Sequence, residues 1–77
     1  MQRDKAIAIV QKAILEHEGL SPNRYKLEDS FDSIGSDSLD LVEICMIVEE
    51  EVHSDISPRQ VDNLNIINDL VKLVEQV

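Results

Sequence analysis

The sequence predicts an all-α fold: a small four-helix bundle with a long first loop and a short third helix. Three observations lead there. Apolar residues recur at helical spacing in three windows, and no segment sustains the alternation of a strand. The two Gly and two Pro residues fall between those windows or at their edges. At 77 residues the chain is sized for one domain, residues 1–77, and not for two.

The first helix is expected from Arg3 to His17. Ile7, Val10 and Ile14 form an i, i+3, i+7 stripe, and Ala6 and Ala13 widen it. Gly19 should stop this helix, and Ser21-Pro22-Asn23 should turn the chain. A connection from about residue 20 to 37 follows. A loop of that length in a small domain is often functional, and Tyr25, Leu27, Phe31 and Ile34 supply apolar anchors to pin it across the helices. The second helix should run from Ser38 to Val52, with Asp37 as its N-cap and Asp40 as the returning acid of a capping box. Residues 54–57 break it. Pro58 suits the first turn of a short third helix reaching about Asn63. Asn65 is expected to cap a fourth helix carrying Ile67, Leu70, Val71 and Val74 on one stripe. With one Phe, one Tyr and no Trp, the core must be aliphatic.

Charge narrows the function. Sixteen acidic and seven basic residues give a formal net charge of −9, which repels nucleic acid and anionic membrane surfaces and attracts basic partners. The imbalance is local: ten acidic residues and no Lys or Arg lie between Lys26 and Arg59. A partner surface is therefore expected in the middle of the chain. One cysteine, Cys45, excludes an internal disulfide. No apolar run reaches signal-peptide or transmembrane length, so a cytoplasmic protein is expected, off the membrane and working as a monomer.

The second helix carries apolar residues on two faces. At about 100° per residue, Leu41, Ile44, Cys45, Val48 and Val52 gather on one side, the expected core face. Leu39, Val42 and Met46 gather opposite. Glu43 and Glu50 stand among them, Asp40 and Glu49 at the edges, and Ile47 beside them. Apolar anchors inside a charged rim have the make-up of a docking surface. The expected partner-binding residues are thus Asp40, Val42, Glu43, Met46, Glu49 and Glu50.

Just before this helix runs Ile34-Gly35-Ser36-Asp37-Ser38-Leu39-Asp40. It resembles the Gly-x-Asp-Ser-Leu attachment motif of the acyl carrier proteins, and the likeness extends through Glu43, the run Glu49-Glu50-Glu51 and the helix spacing. The resemblance implies a non-enzymatic carrier. A phosphopantetheinyl transferase would move 4'-phosphopantetheine from coenzyme A to Ser38, with Asp37 and Leu39 as its motif neighbours. Acyl groups would then ride on the arm as thioesters, for fatty acid biosynthesis, between acyl-transferring and chain-elongating enzymes with basic docking surfaces. Ile44, Val48, Ile56, Val61 and Leu70 would be available to line a shelter for the chain. Two rivals stay open: a carrier specialised for polyketide or peptide-type metabolism, and an acidic helical adaptor without an arm.

The residues support attachment on physical grounds. A serine in the first turn of a helix presents its hydroxyl at the end of the domain. A phosphodiester there meets unpaired backbone N–H groups and the positive end of the helix dipole. Asp37 and Asp40 oppose that anion, so the place suits a solvated covalent phosphodiester rather than free phosphate. Ser36 falls at the motif's variable position and is given no role.

Other constellations are weaker. Asp32 to Glu43 has the length of an EF-hand loop, but Ile34 takes a ligand position and Asp37 the glycine position. His17 and His53 each sit near a helix end, where a cation is favourable. Neither has a second His or Cys at ligand spacing, so no metal site and no catalytic residue is expected. Cys45 is expected to be a buried small apolar residue.

Overall fold

The computed structural model describes residues 1–77. Four helices follow in order: α1 Arg3–Glu18, α2 Ser38–Val52, α3 Pro58–Asp62 and α4 Ile67–Glu75. Two single 3-10 turns, Pro22–Arg24 and Asp32–Ile34, lie in the long α1–α2 connection. The all-α expectation and its element order are as observed.

Each helix stops for a local reason. Gly19 takes φ 68° after α1, and its N–H reaches the Leu15 carbonyl. α2 ends without a glycine: His53 adopts φ 55°, with its N–H on the Glu49 carbonyl. A non-glycine residue in that region costs about 1–2 kcal/mol, and nothing in the sequence pattern announced it. Ser57 caps α3 reciprocally with Gln60. α4 departs from expectation. Its N-cap position is Ile66, not Asn65, and Ile has no acceptor to offer. Asp69 supplies the cap from inside the helix by accepting from the N–H groups of Asn65 and Ile66. Those bonds, Ile66 first, hold its carboxyl below the usual Asp value.

The core is one cluster, aliphatic where the helices meet. α1 contributes Ala6, Val10, Ala13 and Ile14; α2 contributes Ile44, Cys45 and Val48; α4 contributes Ile67, Leu70, Val71 and Val74. Each fully buried Val, Leu or Ile stabilises the fold by about 1.5–3 kcal/mol relative to exposure. Leu41 and Val52, expected on the core face of α2, pack against the cluster half-buried.

The long loop is pinned, as its apolar residues imply. Tyr25 and Phe31 join the core cluster, and Leu27 and Ile34 pack on it. Backbone bonds add a tie the sequence did not reveal. Ser30 and Ile66 form an isolated antiparallel bridge. Around it, Phe31 N–H donates to Asn65, Ile67 N–H to Asp29 and Asn68 N–H to Leu27. The loop thus reaches the start of α2 from a fixed position on α4.

Candidate functional site

The site forms where this loop meets α2. Gly35 takes φ 82° and closes the 3-10 turn through its N–H on the Asp32 carbonyl. That left-handed step is open to glycine at no steric cost. Ser36 follows, 3 % exposed, its N–H on the Phe31 carbonyl and its hydroxyl donating to Glu18 of α1. The role denied to Ser36 is therefore structural: it ties the loop to α1. Its partner stands 18 residues earlier, so no local pattern could have revealed it.

The capping box at α2 is as the sequence implies. Asp37 Oδ1 accepts from the Asp40 N–H at 2.9 Å, and Asp40 Oδ2 accepts from the Asp37 N–H at 3.0 Å. Caps of this kind contribute about 1 kcal/mol. Ser38 is the first helical residue and is exposed. The capping box leaves the N–H groups of Ser38 and Leu39 without intrahelical partners. The Ser38 position therefore combines an accessible hydroxyl with free donors at a rigid helix start.

A cleft of about 350 Å³ opens beside Ser38, walled by Phe31, Leu41, Val42, Val61 and Leu64. A second opening, lined by Val42, Cys45, Met46, Ile56 and Val61, continues along the α2–α3 seam. A third, lined by Val48, Val52, Ile56, Leu73 and Val74, lies further along. The three neighbour one another, sharing Val42 and Val61 and then Ile56, and form a row of open, partly apolar grooves in which polar residues such as Asp32, Asp62, Asn65 and Gln60 also take part.

The outer face of α2 is open. Leu39 is 67 % exposed, Val42 43 % and Met46 58 %. Glu43 and Glu50 are exposed among them. The two edge acids are drawn inward instead. Asp40 Oδ1 lies 2.9 Å from His17 Nε2, and Glu49 accepts from the Ile56 N–H at 2.7 Å. The hydrogen bond from His17, then that from the Asp37 backbone, holds the Asp40 carboxyl below the usual Asp value. Cys45, on the inner face, is buried, and desolvation pushes its thiol up to about 12. No helix is long and apolar enough to cross a membrane.

Comparison with known proteins gives the same reading. The model of the family described as "Phosphopantetheine attachment site" matches residues 8–74. The acyl carrier protein of Bdellovibrio bacteriovorus is 37 % identical over 68 residues, 87 % of each chain. That of Zymomonas mobilis is 32 % identical over the same share of each. The chain belongs to the acyl carrier protein family. The crystal structure of the Thermotoga maritima acyl carrier protein superposes with a TM-score of 0.84 at 26 % identity, covering 99 % of this chain and 89 % of that one. The family's prosthetic group is covalently bound 4'-phosphopantetheine, and its members carry acyl groups between enzymes of acyl metabolism. The site fits such a group: an exposed hydroxyl at a helix start, unengaged N–H donors, and an open, partly apolar cleft beside it.

Proposed function

We propose that Ser38 is the attachment residue and that the chain carries fatty acyl groups as thioesters, leaving the chemistry to its partner enzymes. The observation that carries this reading is the exposed Ser38 hydroxyl at the first turn of α2, inside Gly35-Ser36-Asp37-Ser38-Leu39 and beside an open cleft. Ser36 is excluded as the acceptor because its hydroxyl is buried and engaged by Glu18.

The bound group supplies a terminal thiol that activates an acyl carbonyl as a thioester. The protein's own residues do the rest. Asp37 and Asp40 fix the helix start, so the hydroxyl is presented in one orientation to a phosphopantetheinyl transferase. The N–H groups of Ser38 and Leu39 favour the phosphodiester on the N-terminal side of α2. Leu39, Val42 and Met46, with Glu43 and Glu50, form the surface read by basic partner enzymes. The apolar residues of the grooves along α2, among them Val42, Val61 and Ile56, offer contacts to a saturated chain.

Incubation with coenzyme A and a broad-specificity transferase tests attachment. Intact mass should rise by one phosphopantetheine, and Ser38→Ala should show no gain while remaining helical. Labelling that persists in Ser38→Ala overturns the assignment. Mass analysis of the thioester on protein from its native cell tests the cargo. Straight-chain fatty acyl groups are expected; polyketide or aminoacyl groups would replace fatty acid biosynthesis with a specialised pathway.

A further inference from the structure

Attachment at Ser38 leaves one cluster of titratable groups without a use: the junction of α1 and α2 around His17. This residue stands in the last turn of α1, with its side chain 18 % exposed. Its Nε2 lies 2.9 Å from Asp40 Oδ1, and its Nδ1 lies 3.3 Å from Glu43 Oε2. Both acids belong to the first two turns of α2, beside Ser38.

The geometry favours the protonated ring. An ionised carboxylate only accepts hydrogen bonds, and a neutral imidazole carries one N–H. A neutral His17 would therefore turn one ring-nitrogen lone pair toward a carboxylate oxygen. The imidazolium hydrogen-bonds Asp40 through Nε2 and sets its positive charge in ion-pair range of Glu43.

The surroundings agree. Asp40 and Glu43 face the ring from α2, and Glu18 adds a third negative charge from its own helix. The loop acts only indirectly, through Ser36 on Glu18 and the Asp37 N–H on Asp40. No group of α3 or α4 acts on the ring, and no cation opposes its charge. The Asp40 hydrogen bond, outweighing partial desolvation, raises His17 above its ordinary 6.5.

We propose that His17 is a protonation-sensitive clasp: as an imidazolium it ties the end of α1 to Asp40 and Glu43, and on losing its proton it frees the first turns of α2. Deprotonation also leaves both carboxylates uncompensated on the surface beside the attachment residue. The first consequence is for stability. A group raised on folding contributes fully below its unfolded value, here about 6.5, and loses that contribution as pH rises through the higher folded value. The second consequence rests on the Ser38 reading: the charge offered to basic partner enzymes becomes more negative on the alkaline side.

Three measurements on the full chain test this. The ring proton resonances of His17, followed by NMR, should titrate with a midpoint above 6.5, and Asp40→Asn should move that midpoint down. Wild type should melt at least about 3 °C above His17→Gln at pH 6, with the gap closing to within about 1 °C by pH 9. A midpoint at or below 6.5, or a gap independent of pH, overturns the clasp. Should His17→Gln not fold, the wild-type and Asp40→Asn titrations still decide it. For the functional half, the rate of Ser38 labelling in wild type divided by that in His17→Gln cancels the transferase's own pH profile. That ratio should change about threefold or more between pH 6 and 9; a constant ratio overturns the regulatory role. If neither protein is labelled, the Ser38 reading and the regulatory role fall together, while melting and NMR still judge the clasp.

Discussion

Cys45 and Met46 are neighbours in α2 that meet different worlds. Cys45 is 2 % exposed and packs among Ile44, Val48 and the α1 and α4 residues of the core; Met46 is 58 % exposed among Leu39, Val42 and Glu50. Both faces of the helix are apolar in sequence. What separates them is the supply of covering surface. α1 and α4 bury one face, while α3, five residues long, covers only the Val42–Glu49 edge of the other. An apolar residue left outside by this shortage is free to serve a partner, and its loss costs the free protein little. The same chemistry thus stabilises on one face and is left at the surface on the other.

Sulfur chemistry offers the largest contrast for breaking that comparison. With its thiol pushed up to about 12 from an ordinary 9.0, folded Cys45 should hold about a thousandth of the usual thiolate at pH 8. In Ser38→Ala protein, where the proposed attachment residue is gone, alkylation of Cys45 should be slow until denaturant is added. Met46 should be oxidised by dilute peroxide in the folded state, as peptide mapping would show. Rapid alkylation of folded Cys45 would mean that the inner face opens.

Truncation compares the faces in energy. Val48→Ala should destabilise the bundle by about 1–4 kcal/mol through lost packing and a residual cavity. Val42→Ala, at a side chain 43 % exposed, should cost less than about 0.5 kcal/mol. It should instead speed dissociation from partner enzymes, by about fivefold if Val42 is an anchor. Equal melting losses in the two variants, by denaturant titration, would show that α2 is buried on both sides.

The smallest effect sharpens the boundary of the outer face. Glu50→Lys should slow association a few-fold, with the defect shrinking in added salt, while Glu43→Lys should do so and also lower the melting temperature at pH 6 by setting a like charge beside His17. Glu49→Ala should behave otherwise, because it removes the acceptor that anchors the Ile56 N–H. It should lower melting temperature more than it slows association. Stopped-flow association at two salt concentrations, beside thermal melts, distinguishes rim charges from internal anchors.

Much of the site could be read along the chain because its parts are local. Gly35, Asp37, Ser38 and Asp40 fall within six residues, and the turn and capping box need only neighbours in sequence. The two apolar stripes of α2 follow from helical spacing alone. His17, Ser36 and Glu49 were not legible as ties, since their partners stand 7 to 23 residues away. The cap of α4 was misassigned to Asn65 because a polar residue before a helix is the usual donor of that service, and Asp69 reaches back to do it here.

By itself the sequence determined the helices, their order, the aliphatic core and the placement of Ser38 at a helix start. All of these follow from short-range rules: backbone geometry, side-chain periodicity and capping chemistry act over a few residues. Tertiary structure alone decided which stripe of α2 is covered and which acids are free. It bound Asp40 to His17 and Glu49 to Ile56, set Glu43 beside His17 while leaving it exposed, and left Glu50 free. The physical reason is that burial and ion pairing depend on which surfaces the bundle brings together, and spacing along one helix carries no record of that.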